Sequence, residues 1–225
     1  MEDLDENPDE YLEPGIPELT KAARVQLGQY VVLGAYNSVG KTALALQIAF
    51  ALAHEQVGGT LYRMLQAGEL PLRVTHNDTK LNNILLDKIT GKPVCVIDLD
   101  TVMPGSVLFD FGDAIRFGAS GAAEDETDLE LVYMREDMFN AFARGFIGGL
   151  DGSLTDVEIL DLPMGALIIT LETGIRFLTD YLNGDTYFRI HYPTQNLDRA
   201  RNQFKLVRDM EKKMPRMLAT VKKYL

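Results

Sequence analysis

The sequence predicts an α/β chain: a short strand–loop–helix unit, then a β-hairpin around a polar loop, then a mostly helical second half. Three observations predict it. Tyr30-Val31-Val32-Leu33 is a β-branched run followed by a Gly-bearing loop and a breaker-free stretch of Ala, Leu and Ile over residues 41–56. Residues 72–75 and 94–97 are short apolar runs flanking a polar turn and the loop 88–93. Residues 129–146, 156–182 and 197–224 each carry apolar side chains at three- and four-residue intervals.

The chain opens on acid. Seven of the first thirteen residues are acidic and no basic residue precedes Lys21, so 1–13 is expected to be a mobile tail. Pro14, Gly15 and Pro17 then punctuate the start of a second segment, 14–67, whose helix Gly58-Gly59 closes. The third segment, 68–225, holds the hairpin and the helices. Asp156 is placed as a first-turn acid and Gly184 as a stop for the helix between them. Met103, Met134 and Met138 are read as core fillers. Residues 201–225 hold eight basic and two acidic residues, a charge suited to the acidic remainder of the same chain or to water.

Composition narrows the class. The 225 residues are 46% hydrophobic and 24% charged, which excludes disordered, collagen-like and disulfide-rich chains for the bulk of the molecule. A net charge of −11 argues against a nucleic-acid partner held by a broad basic face. One cysteine, Cys95, allows no intrachain disulfide, and with an acidic start no secretory signal is expected. The longest nearly apolar stretch is taken as 43–53, too short for a bilayer. The expectation is a cytoplasmic protein with no membrane partner and an open oligomeric state.

Two phosphate-handling patterns stand in the chain. The first is Ala35-Tyr36-Asn37-Ser38-Val39-Gly40-Lys41-Thr42, between strand and helix. A P-loop needs backbone amides around phosphate oxygens, a Lys for the outer phosphates and a hydroxyl on Mg²⁺. Gly40, Lys41 and Thr42 occupy those positions, although Ala35 stands where the first Gly belongs. Residues 14–53 resemble the opening of RecA-like ATPases and replicative helicases, which implies nucleotide binding by Gly40, Lys41 and Thr42.

The second is His76-Asn77-Asp78-Thr79-Lys80-Leu81-Asn82-Asn83, with Asp98 twenty residues after Asp78. Phosphoryl transfer to a hydroxyl asks for a carboxylate that orients the acceptor, and for an amide and a second carboxylate on Mg²⁺. The spacing puts Asp78 and Asn83 at the two ends of one loop, and a hairpin is expected to return Asp98 to the same cleft. His76 is read as a prop for the loop. Asp100 is a second metal ligand or a structural hydrogen-bonder, and Asp110 is read as a helix cap. His54 and His191 lack partners at metal-ligand spacing.

Residues from about 68 to 225 resemble the C-terminal lobe of the aminoglycoside phosphotransferase and choline kinase superfamily. Arg73-Val74-Thr75-His76-Asn77-Asp78, Val96-Ile97-Asp98-Leu99-Asp100 and Phe109-Asp110-Phe111-Gly112-Asp113 carry the likeness. The run from Thr170 to Leu182, with Gly174-Ile175-Arg176-Phe177, is similar to the N-acetylhexosamine 1-kinases of that group. The resemblance implies a protein-kinase-like lobe that uses ATP and Mg²⁺, with Asp78 as base and Asn83 and Asp98 on the metal. It implies an amino-sugar acceptor touched by Arg176 and Tyr187. Read without the resemblance, Arg176 is as well explained by a buried ion pair, and Tyr187 by packing on Phe188. About 67 residues precede this lobe, and they do not read as the nucleotide-covering sheet that such kinases carry. The alternatives are therefore a RecA-like ATPase with Asp98 as its magnesium-side acid, or an incomplete fused or truncated kinase module.

Overall fold

The computed structural model describes residues 11–12, 25–26 and 41–225. In chain order, β1 (Tyr11–Leu12) pairs antiparallel with β2 (Val25–Gln26), and three helices follow: α1 (Lys41–Ala53), α2 (Glu55–Gly58) and α3 (Thr60–Ala67). The hairpin region holds β3 (Arg73–Thr75), β4 (Ile84–Leu86), β5 (Pro93–Val96) and β6 (Met103–Gly105). The helical half is α4 (Val107–Gly118), α5 (Glu136–Gly149), α6 (Asp156–Leu182) and α7 (Gln195–Val221), the last running into a 3₁₀ turn, Lys222–Tyr224.

The core lies where α4, α6 and α7 pack. α6 packs on both α4 and α7, and Leu108, Phe111 and Ile115 of α4, Leu162, Ala166 and Leu171 of α6, and Leu206, Val207 and Met210 of α7 share one buried cluster. Two glycines set the α4–α6 crossing. A Cβ on Gly112 would sit 2.5 Å from the Gly165 carbonyl oxygen, and one on Gly165 would sit 2.5 Å from that of Leu108. Backbone touches backbone there, which any side chain would prevent. By length and composition α6 is apolar enough to cross a membrane, and it exceeds the stretch 43–53 that the sequence reading took as longest. Most of that apolar window is buried inside the fold, so its apolarity serves the core.

Local chemistry fixes the helix starts. Thr155 caps α6 by accepting from the Glu158 N–H, while the Glu158 carboxylate accepts from the Thr155 N–H, a complete capping box. Ser106 caps α4, accepting from the Leu108 N–H. At the far end Gly184 takes φ +86° just beyond α6, as its expected role as a stop requires. Helices α1 to α3 pack on the helical half: Phe50 is buried with its ring 4.9 Å from that of Phe204, and His54 bonds the Phe50 carbonyl and Glu211.

Several expectations are corrected. β3 pairs with β6, and β5 pairs with β4, so the two apolar runs do not form one hairpin with each other. The unexpected strand β4 takes the place that β3 was to fill. The acidic start includes a strand, Tyr11–Leu12, where a mobile tail through residue 13 was expected. The helix expected over 129–146 begins only at Glu136, because Met134 is spent elsewhere: it bridges to Ser120, and its N–H donates to the Asp209 carboxylate. Met134 is buried and Met138 packs on the core, but Met103 is half exposed on β6. The expected strand 30–33 lies outside the described residues.

Candidate active site

The loop His76–Asn83 leaves the end of β3 and is held on three sides. Asp110, in the first turn of α4, accepts the N–H groups of His76 (2.9 Å) and Asn77 (2.7 Å). That replaces the capping role expected for Asp110; Ser106 performs the capping. Thr101 Oγ1 donates to the His76 carbonyl, and Asn77 Nδ2 donates to the Thr101 carbonyl. Asn77 sits at φ +64°, a left-handed conformation that Asn tolerates better than most residues. His76 accepts the Asp78 N–H at Nδ1, so its hydrogen lies on Nε2, which donates to the Ile97 carbonyl. His76 is thus a prop between the loop and the chain end of β5.

Within this frame each carboxylate oxygen of Asp78 has one partner. Its Oδ2 accepts from Asn83 Nδ2 at 2.9 Å, and its Oδ1 lies 2.9 Å from Lys80 Nζ. Asn83 Nδ2 also donates to the Asp78 carbonyl, which closes the loop on itself. Desolvation pushes the Asp78 carboxyl up, but the Lys80 ammonium, the Asn83 amide and His76 outweigh it and hold the group below the usual carboxylate range.

Asp78 and Lys80 form one edge of a cleft of about 520 Å³ whose opposite wall comes from α6, α7 and the segment between them. Arg176 and Tyr187 line that cleft. The Arg176 guanidinium stands 5.7 Å from the Tyr187 ring centroid and 5.5 Å from that of Phe188. Arg176 is exposed and makes no ion pair among the described residues, so the buried-pair reading does not hold. Tyr187 packs edge-on against Phe188 and is also 74% exposed, so packing and an open face coexist. Asp180 sets this segment by accepting the N–H groups of Thr186, Tyr187 and Phe188, and Asn196 donates to it as well.

Asn83 and Asp98 are not brought into that cleft with Asp78. Asp98 is exposed at φ +64°, before the 3₁₀ turn Leu99–Thr101, and its carboxylate has no hydrogen bond among the described residues. Its neighbour Ile97 is nevertheless tied to both His76 and Asn83 through backbone groups, so Asp98 leaves the chain beside the loop. No cluster of three His, Cys, Asp or Glu side chains suited to a metal ion occurs among the described residues. The donor chemistry still suits magnesium. With Asn83 Nδ2 spent on Asp78, Asn83 Oδ1 and the Asp98 carboxylate are oxygen donors, and Mg²⁺ takes few protein oxygens, completing its shell with water and phosphate. Asp100 makes no side-chain hydrogen bond among the described residues, so the structural hydrogen bond that was one of its two expected roles is not formed there. Of the P-loop residues, Gly40 and the side chains of Lys41 and Thr42 lie outside the described residues.

Sequence reasoning missed much of the cleft wall. Asp113 and Arg116 of α4 form a buried pair at 2.9 Å, and Arg116 also reaches Glu124. Desolvation works against the Arg116 charge, yet the two carboxylates together hold its pKa above the ordinary value. Two buried polar atoms on lining residues, Asp113 Oδ2 and Arg199 Nε, have no hydrogen-bond partner among the described residues. Lys80, two residues after Asp78, and Glu172, within the run 170–182 that also holds Arg176, were signals in plain view; Arg189 and Arg199 come from elements that no motif links.

Residues 30–139 match the sequence model of the phosphotransferase enzyme family, a little under half of the chain. The matched stretch contains the loop with Asp78 and Asn83, Asp98, and the clamp Asp110. It supports the aminoglycoside phosphotransferase and choline kinase superfamily, with its protein-kinase-like fold, and an enzyme of the kinase type. It begins within the P-loop-like segment and ends in α5, ahead of α6 and α7.

Proposed function

We propose that the protein transfers the γ-phosphoryl group of ATP to a hydroxyl of a small polar acceptor, an amino sugar, bound in the cleft beside Asp78. The observation that carries this reading is the Asp78 carboxylate, held by Asn83 and Lys80 at the edge of a cavity large enough for a sugar ring. The acceptor hydroxyl donates to Asp78, which orients it and takes its proton as the new P–O bond forms and the bond to ADP breaks. A carboxylate kept ionised can do this; a neutral one cannot. Lys80 keeps Asp78 charged and adds a positive charge next to the transferred group. Asn83 Oδ1 and Asp98 would hold Mg²⁺, which supplies charge neutralisation on the triphosphate when bound. Arg176 and Tyr187 would touch the acceptor ring. The cytoplasm, where ATP is abundant, is the compartment this reading favours.

The test is ADP release from the full chain over a panel of hexosamines and N-acetylhexosamines. Asp78→Asn is expected to lower kcat at least a hundredfold. Because its pKa is depressed, Asp78 stays ionised to lower pH, so the acid limb of the wild-type rate lies below the ordinary Asp value of about 3.9. Unchanged turnover in Asp78→Asn overturns the reading.

A further inference from the structure

We propose that Arg199 and Arg189 form an anion-binding subsite on the cleft wall, which makes the acceptor a polyhydroxylated compound bearing a carboxylate or phosphate. The inference rests on the kinase reading for the word acceptor, but its geometry does not. Five cations and four carboxylates line the cleft. Lys80 is spent on Asp78, and Arg116 on Asp113 and Glu124. Among the described residues this leaves Arg176, Arg189 and Arg199 without a carboxylate partner, against Glu172 alone. The unspent charge of the cleft is therefore positive, although the whole chain carries −11. Four carboxylates around the start of α7 are hydrogen-bonded to groups other than these arginines: Asp198 with Arg201 and Thr194, Asp125 with Gln195, and Asp180 and Asp185 with Asn196.

Arg199 is placed for a ligand. Its guanidinium stacks on Phe177 at 5.4 Å, and Nη1 donates to Asn196 Oδ1 and the Arg189 carbonyl. Those contacts lock its plane and leave Nε buried without an acceptor among the described residues. A buried donor left unmade costs free energy that a ligand oxygen would return. The Nε edge of a guanidinium offers the paired N–H geometry that carboxylate and phosphate oxygens match. Asp113 Oδ2, on another lining residue and buried without a donor among the described residues, offers an acceptor to a ligand hydroxyl. A polycationic aminoglycoside would meet unpaired arginines here, and like charges repel it.

Calorimetry on the full chain separates the possibilities, with N-acetylglucosamine, glucosamine, N-acetylglucosamine 6-phosphate and glucuronate as probes. The anionic sugars are expected to bind at least tenfold tighter than N-acetylglucosamine, and glucosamine weakest. The phosphate and carboxylate probes show which anion is taken. Arg199→Met keeps the apolar stem and is expected to weaken the preferred anionic sugar about tenfold while N-acetylglucosamine changes less than twofold. Arg189→Met, at an exposed side chain, gives the same selective loss if the first variant fails to fold. Equal binding of charged and neutral sugars, no binding of either anion, or a variant that weakens ATP in place of the sugar overturns the inference. Anion preference without ADP release rejects the kinase reading and keeps the subsite; release from a neutral hexosamine without anion preference does the reverse.

Discussion

Asp110 accepts the backbone N–H groups of His76 and Asn77, and Asp180 accepts those of Thr186, Tyr187 and Phe188. Each carboxylate fixes a loop that no regular structure would fix, one on each side of the cleft. A carboxylate does this because it has two acceptor oxygens and no donor; the isosteric amide sets an N–H₂ against one of the backbone donors. Asp110→Asn and Asp180→Asn are each expected to cost about 1–3 kcal/mol of stability. Their kinetic effects should separate. Asp110 positions the loop that carries Asp78, so its variant lowers kcat tenfold or more, because small displacements of a reacting group are expensive. Asp180 positions Tyr187 and the cleft wall, so its variant raises KM and spares kcat. Steady-state kinetics on the two variants check this, and identical effects on kcat and KM would refute the division of labour.

At the scale of elements, β3 is anchored to the start of α6 by Arg73. Its Nε and Nη2 reach the two Glu158 oxygens at 2.7 and 2.8 Å, and Nη2 also donates to the Ser153 carbonyl. Glu158 is fully buried, so Arg73→Ala would leave its charge with only the capping contact to Thr155. The expected loss is about 3 kcal/mol, measured by urea unfolding near neutral pH. Burial works to raise the Glu158 pKa, but Arg73 and the Thr155 N–H prevail and hold it below the usual value. A depressed carboxyl stabilises the fold above its unfolded pKa and loses that contribution as pH falls through its folded pKa. The gap between wild type and Arg73→Ala should therefore shrink on acidification below about pH 4.3, the ordinary Glu value. A gap that widens there contradicts the assignment. The same elements show what the sequence could express. The helix 156–182 was legible to the residue because its capping box and its Gly184 are local. The start of α5 was not, because Met134 is held by Asp209, a residue far along the chain, and Val132 is buried ahead of the helix. Likewise Asp78 and Asn83 were legible because their spacing is their geometry, whereas the cleft wall unites α4, α6, α7 and a loop, which no local pattern records.

The whole molecule has an uneven distribution of cover. Its helical half is a closed core, with Leu162, Phe111 and Met210 at 0% exposure, while the two small sheets beside the loop that carries Asp78 are open. Every residue of β5 is exposed, with Val94 at 68% and Val96 at 50%, and Val74 of β3 reaches 81%. A two-stranded sheet is marginal by itself in water, so these strands persist because the loop network ties them to α4, not because they bury apolar area. The stability of the fold should then be insensitive to their outward side chains. Val94→Thr with Val96→Thr keeps the β-branched shape and removes apolar surface, and is expected to shift the urea unfolding free energy by less than about 0.5 kcal/mol. Leu162→Ala in the core is expected to cost about 2–5 kcal/mol in the same assay. If the double Thr variant loses more than about 1 kcal/mol, the hairpin is covered in solution and carries part of the folding energy. Fluorescence of an apolar dye provides the independent readout. Wild type should bind it under native conditions and the double variant less, whereas equal binding by both would place the accessible apolar surface elsewhere on the molecule.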